Sequence, residues 1–287
     1  SARQDVAVSF VIRPARAEDV PLIETWTRDT FAWGDYVAEA MPGWLDDPES
    51  LVVVCVYEDD VPVALSRAQM LSPTEAWLSA ARVHPDHRRS GMGISMNDFG
   101  VNWARERGAL VVRLATEAEN EAARSQVIKL GYRLTGHWAY ATAPASTGRR
   151  LGPSERLRPG GTVDADAAWT FWSQSDLAHA ARDLISLGWR WRKATRHDLD
   201  LAVEAHSFFQ GPGGWVIAEA DDDGLSVRWL ATSSFDAPLL IVGLRDLLRD
   251  RRRGRVEAMV PVTAWSVEAL LREGFEVNPI QIFSKSL

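Results

Sequence analysis

Two glycines, Gly91 and Gly93, separate a stretch patterned like a strand from one patterned like a helix. Positions 76–83 read as a strand, whereas Ile94, Phe99, Val101, Trp103 and Ala104 recur at helical spacing until Gly108 stops them. A strand that passes through so short a bend straight into a helix implies a crossover unit, in which the chain returns as another strand. The return is visible: 109–116 is β-branched and apolar, 121–130 is a short helix closed by Gly131, and 132–142 is a further strand. The expected fold class is α/β, with strands and helices mixed around one sheet.

Upstream, a strand over 8–13 leads to a helix over 17–28 with Asp19 in its first turn, and a second helix covers 36–44 near Pro42-Gly43. Three strands, 51–58, 61–70 and 76–83, are separated only by Asp59-Asp60 and Ser72-Pro73-Thr74, which implies an antiparallel meander. The stretch 144–166, rich in Pro, Gly, Ser and Arg, reads as a linker or a long surface excursion. The chain of 287 residues is therefore expected to hold two domains, 1–145 and 181–287, joined by a connecting segment over 146–180.

The second half echoes the first. Arg13-Pro14-Ala15 followed by Asp19-Val20 is matched by Arg192-Lys193-Ala194 followed by Asp198-Leu199, each at a strand-to-helix junction. Leu130-Gly131-Tyr132 is matched by Glu273-Gly274-Phe275, each where a helix enters a strand. Both matches point to an internal duplication. The second copy is shorter, because 227–231 leads through Ser233-Ser234-Phe235-Asp236 straight into an apolar helix over 238–249. Asp236 stands where backbone donors would have to meet an anion, so this copy reads as degenerate.

Composition narrows the function classes. With 46% hydrophobic and 25% charged residues the chain is expected to be a folded soluble protein, and no apolar stretch approaches the ~20 residues of a membrane helix. The start, Ser1 to Val8, lacks the order of a signal peptide, so a cytoplasmic location and no membrane partner are expected. A net charge of -7 argues against a broad nucleic-acid surface, and the basic run 249–255 reads as a solvated helix end. The single cysteine, Cys55, excludes an intrachain disulfide and a cysteine metal cluster; it reads as a buried strand residue, and no metal is expected.

The chemistry concentrates in the glycine bend. Gly91 and Gly93 let the backbone take positive φ and turn consecutive N–H groups toward one anion, and the helix from Ile94 adds its positive dipole end. Arg88 and Arg89 place guanidinium groups beside it, so a pyrophosphate is the natural guest. No Lys-Ser or Lys-Thr follows Gly93 as a nucleoside triphosphate loop requires, and a third glycine for a dinucleotide fingerprint is missing.

These residues resemble the GNAT superfamily of acyl-CoA-dependent N-acetyltransferases. Its strand ending in Val-x-Pro, then Arg/Gln-x-x-Gly-x-Gly/Ala and a helix, reads here as Val83-His84-Pro85, Arg88-Arg89-Ser90-Gly91-Met92-Gly93 and the helix from Ile94. A later element, Asn-x-x-Ala leading to Gly-Tyr/Phe, is similar to Asn120-Glu121-Ala122-Ala123 and Gly131-Tyr132. The resemblance implies a GNAT-like fold in two tandem copies and acetyl-CoA as co-substrate. Val83, His84, the loop 88–93 and Ile94 would hold CoA, with Asn120 and Ala123 beside its pantetheine arm. The arm would pair like an extra strand near Val83. A helix N-cap is the other role open to Asn120.

An N-acetyltransferase needs a base for the amine and a proton donor for the leaving thiolate. The resemblance implies a tyrosine donor seven positions after the Asn, but the residue there is Val127; Ser125 and Tyr140 are the candidate substitutes. Counting back from Val83 by twos gives Ala81, Ser79, Trp77 and Glu75, of which only Glu75 can act as a base. His84 and Glu117 lie near strand ends, and a water chain is an equal alternative. Trp26, Trp33, Trp44 and Trp77 invite an aromatic acceptor pocket, with core packing as the competing role. The leading expectation is direct acetyl transfer to a primary amine in a ternary complex. The alternative is an inactive acyl-CoA-binding pseudoenzyme or sensor. The second copy would supply structure, part of the acceptor site or an oligomer contact such as a homodimer.

Overall fold

The computed structural model describes residues 9–30, 34–144, 151–220, 224–250 and 254–287. They form two compact units, one running to Leu114 and including Ser284–Leu287, the other spanning Ala115–Phe283.

In the first unit β1 (Val11–Pro14) is followed by α1 (Asp19–Thr27), α2 (Val37–Leu45), β2 (Ser50–Val56), β3 (Pro62–Ser72), β4 (Glu75–Val83), α3 (Met92–Glu106) and the start of β5 (Val111–Glu117). The strand order is β1-β2-β3-β4-β5, antiparallel through β4 and parallel between β4 and β5. The antiparallel meander and the crossover follow the sequence pattern. The apolar run of β2 is explained by burial on both faces. Val52, Val54 and Val56 meet Ile23, Val37 and Met41 of α1 and α2, while Val53 and Cys55 meet Met92 and Met96 of α3. Cys55 is buried, and burial pushes its thiol up to about 12, so it is inert packing. The strand expected over 8–13 is seen from Val11; position 8 lies outside the described residues.

The second unit continues with α4 (Glu121–Lys129), β6 (Arg133–Pro144), β7 (Arg158–Pro159), α5 (Thr162–Ser173), α6 (Asp176–Ala181), β8 (Leu184–Ser186), β9 (Trp191–Lys193), α7 (Arg196–Glu204), β10 (Phe208–Gly211), β11 (Gly214–Ala220), β12 (Gly224–Ala231), α8 (Ala237–Asp250), β13 (Arg255–Pro261), α9 (Ser266–Arg272) and β14 (Glu276–Ser286). Its strand order is β14-β6-β13-β12-β11-β10-β7, with β8 and β9 forming a separate pair. The sequence reading of 144–166 as a linker is corrected in part: α5 begins at Thr162, with Ala165, Ala168 and Trp172 buried, while 145–150 lie outside the described residues. Positions 251–253 of the basic run 249–255 also lie outside them. β6, the last strand of the first sequence copy, pairs antiparallel with β13 of the second along seven residues, from Arg255↔Pro144 to Pro261↔Trp138. The chain's last residue, Leu287, donates its N–H to Leu110 O in the first unit at 3.0 Å. Each unit thus takes terminal chain from the other copy.

The paired sequence repeats build one motif twice. Arg13 donates from Nη1 and Nη2 to Asp19 at 2.8 and 2.9 Å, and the Arg16 N–H reaches the same carboxylate at 2.7 Å. Arg192 grips Asp198 with both Nη atoms, and the Thr195 N–H reaches that carboxylate at 2.7 Å. In both, desolvation alone would raise the carboxyl, but the arginine and the backbone donor outweigh it and hold the group below the usual range. A six-residue Arg–Asp spacing thus locks strand to helix in each unit.

Among the described residues no helix is long and apolar enough to cross a membrane.

Candidate active site

The bend after β4 opens with His84, whose Nδ1 accepts the Asp86 N–H at 3.2 Å and caps a short 3-10 turn over Pro85–His87. A chain of ring contacts, one T-shaped and two tilted, supports it, with Trp26 5.7 Å from His84, His84 5.5 Å from His87 and His87 5.2 Å from Tyr57. Trp26 is fixed by its Nε1–H to Pro62 O at 3.1 Å. Trp26, read from the sequence as a possible pocket residue, is thus a support of the bend, and Tyr57, just past the end of β2, carried no signal because it is brought there from a distance. His84 is therefore scaffolding for the bend, and its ring occupies that role rather than the position of a base.

From there the chain turns through positive φ at Arg89 (65°) and Gly91 (86°) and enters α3 at Met92. The Ser90 hydroxyl donates to His87 O at 2.6 Å and tightens the turn. Ile94 and Ser95 both donate back to Gly91 O, at 3.0 and 3.1 Å. The amides of Arg89, Ser90, Gly91, Met92 and Gly93 find no acceptor among the described residues. Arg88, Arg89, Ser90, Gly91 and Ile94 are exposed. Five consecutive unsatisfied amides at a helix N-terminus, flanked by two exposed guanidinium groups, form an anion nest.

The second unit shows the converse. At the start of α8 the Asp236 N–H bonds Ser233 Oγ at 3.1 Å, the Ala237 N–H bonds Ser233 O at 2.9 Å, and the Leu239 N–H bonds Asp236 O at 3.0 Å. Pro238 has no N–H to offer. The turn before β11 also lies against this end of the helix, since a Cβ at Gly213 would strike the Leu240 backbone. Among the described residues, the amides of Asp236, Ala237, Leu239 and Leu240 are thus already engaged, and no run of open amides like that of 89–93 enters the helix.

Beside the nest, β4 and β5 part. Their parallel register covers only Glu75↔Val111, Ala76↔Val112 and Trp77↔Arg113, and beyond it β4 runs on to Val83 without β5. Within this free stretch β4 carries a bulge: Ser79 pairs with Arg67 and Arg82 with Leu65, leaving Ala80 and Ala81 opposite Ser66 alone, with Ala80 at φ 57°. An alanine gives no warning of such a conformation. The bulge also corrects the count by twos along β4. Val83 packs with Val63 and Ala64 on the α3 side, whereas Ala80 packs with Val37 and Met41 on the α1/α2 side. Val83 and Glu75 therefore do not share a face.

The catalytic candidates are placed as follows. Glu75 is buried and its carboxylate is engaged by Arg113 Nη1 and Nη2 at 3.0 and 3.4 Å, which commits it to an ion pair rather than to an incoming amine. Ser125 is exposed on α4, with Val127 buried beneath it. Tyr140 lies in the second unit, its ring 5.0 Å from Trp189; burial, then the charge and hydrogen bond of Glu257, push its hydroxyl up to about 12. Asn120 caps α4 by accepting the Ala123 N–H at 3.0 Å, so the N-cap role is occupied. Glu117 is exposed. Trp77 is buried, Trp44 is half-buried under Arg67 at 4.9 Å, and Trp33 lies outside the described residues.

A mixed sheet with a forked parallel pair, and an anion nest where the fork's first strand enters a helix, defines a GNAT-type acyltransferase fold, here in two tandem copies. Residues 20–132 match the family described as Acetyltransferase (GNAT) family, so this region, which holds fork and nest, is a GNAT acetyltransferase domain. The family implies an acyl-CoA co-substrate. No curated protein gives a match. Among solved structures, a GCN5-related N-acetyltransferase from Sphaerobacter thermophilus superposes with a TM-score of 0.67 at 13% identity, covering 96% of this chain and 95% of that one. A putative acetyltransferase from Thermoplasma acidophilum gives 0.61 at 19%, covering 96% and 100%. A tandem GNAT protein from the clavulanic acid biosynthesis pathway gives 0.61 at 13%, covering 97% and 98%. These likenesses establish the fold over the whole chain.

Proposed function

We propose that the protein is an N-acyltransferase that moves an acetyl group from acetyl-CoA to a primary amine, by direct attack while both substrates are bound. The observation that carries this reading is the set of five unengaged amides from Arg89 to Gly93 opening beside the β4/β5 fork. The nest would take the pyrophosphate of CoA with Arg88 and Arg89. The free edge of β4 toward Val83 and His84 would pair with the pantetheine arm, as an added strand pairs with a sheet edge. The amine nitrogen forms the new C–N bond and gives up a proton to water, the thioester C–S bond breaks, and the departing thiolate takes a proton from water to leave as the free thiol. The backbone of Ala80 and Ala81, outside the β3 register, is the group we assign to the thioester oxygen.

Water is the proton acceptor in this reading, since Glu75 is held by Arg113, and water also returns a proton to the thiolate, since Tyr140 is engaged by Glu257. Positioning in the fork carries the acceleration, for which intramolecular precedents reach roughly 7–11 kcal/mol. The second unit, in which the amides of Asp236, Ala237, Leu239 and Leu240 are already bonded, serves as structure. Release of free thiol from acetyl-CoA, followed across a library of primary amines, tests the proposal. Amine-dependent release is expected. Calorimetric binding of CoA with no release for any amine would support the pseudoenzyme alternative instead.

A further inference from the structure

Below the bulge, the α2-facing side of the first unit's sheet is charged to a degree that buried layers avoid. Arg67 stands opposite Ser79, Gln69 opposite Trp77, and Trp77 beside Arg113, while Ala68 and Leu78 face the other way onto Gly100 of α3. Arg67, Glu75 and Arg113 are only 7%, 7% and 6% exposed. Their charges cancel in pairs. Arg67 bonds Asp47 at 3.3 Å and, through Nε, Ser50 Oγ at 2.8 Å, whereas Arg113 spends both Nη atoms on Glu75. The Nε–H of Arg113 remains, buried and with no hydrogen-bond partner among the described residues.

The place of this donor matters as much as its isolation. Trp77↔Arg113 is the last β4/β5 pair, so Arg113 sits at the base of the fork. Ala80 is three residues further along β4, about 10 Å of strand. A buried donor left without an acceptor is costly in a resting protein, and a ligand oxygen that completes it is bound selectively for that reason.

We propose that Arg113 is a recognition residue for the acceptor and that its Nε–H binds an uncharged carbonyl oxygen on the amine substrate; this rests on the N-acyltransferase reading. Charge decides between oxygens. Glu75 already neutralises the guanidinium, so a substrate carboxylate would bring unmatched negative charge into a buried position beside Glu75. A carbonyl oxygen completes the bond without burying a charge. The acceptor class is therefore amines that carry an amide or ester carbonyl within about 10 Å of the reacting nitrogen, such as aminoacyl amides and peptide amino termini, in preference to free amino acids or plain alkylamines.

The test uses the full chain and two separable readouts. Calorimetry with CoA examines the underlying reading; absence of binding sinks that reading whatever the acceptor. Initial rates of thiol release are then compared for glycinamide, glycyl-glycinamide, glycine and propylamine. The amides are expected to exceed glycine and propylamine at least tenfold in kcat/KM. Arg113→Lys keeps a cation opposite Glu75 but has no Nε–H; it should raise KM for the amides about tenfold, erase the preference and leave CoA affinity unchanged. If its melting temperature shows that it does not fold, the neutral pair Glu75→Gln with Arg113→Met replaces it, with the same expectation. Equal rates across the panel, no turnover of either amide with CoA bound, or a variant that keeps the preference would each overturn the proposal.

Discussion

Gly91→Glu separates the anion nest from the fold around it. Gly91 lies at φ 86°, and a Cβ built there meets nothing within 4 Å, so a side chain has room and the structural cost is the left-handed backbone alone. For an L-residue that is about 1–2 kcal/mol, a fall in melting temperature of several degrees for a chain this size. The functional effect is larger. A carboxylate ~5 Å from one bound phosphate charge, at an effective dielectric of about 20, costs about 3 kcal/mol, more than 100-fold in affinity. Gly91→Ala carries the same backbone cost without the charge and is expected to stay within about tenfold of the parent. Calorimetric titration with CoA, beside thermal melting, reads both quantities. Added salt should shrink the glutamate deficit by screening. If Gly91→Glu melts normally and binds CoA as the parent does, the pyrophosphate does not sit in this bend, and the reasoning from five open amides fails.

Two further outcomes follow from the pKa shifts. Asp19 and Asp198 are both held low in the folded chain, so their stabilisation is complete above the unfolded value of about 4 and is lost as pH falls through the lower folded value. Asp19→Asn with Asp198→Asn should melt lower than the parent at pH 7 and lose less on acidification to pH 3; parallel acid slopes would contradict the shared motif. Tyr140→Phe should leave kcat within a few-fold, because the hydroxyl is spent on Glu257; a 100-fold fall in kcat would make Tyr140 the proton donor.

Much of the element sequence was readable because the determinants are local. The helical repeat ending at Gly108 became α3, the short turns at Asp59-Asp60 and Ser72-Pro73-Thr74 became the β2–β4 meander, and the continuous apolar run of β2 became a strand buried on both faces. The bend 88–93 was legible as chemistry, since glycine spacing and arginine charge act over a few residues. The boundaries of α3 and the start of α5 within a Pro/Gly-rich stretch were not, because propensity there competes with packing of Ala165, Ala168 and Trp172.

By itself the chain order determined the bend, the twin Arg–Asp junctions and the loss of the bend from the second copy, all of which depend on residues within about six positions of one another. Tertiary structure alone decided which backbone groups stay open. The bulge at Ala80 flips the facing of β4, Arg113 reaches across from β5 to claim Glu75, and β6 joins β13 of the other copy. Each depends on the register of strands distant in sequence, and a one-residue change of register exchanges the faces of every side chain that follows.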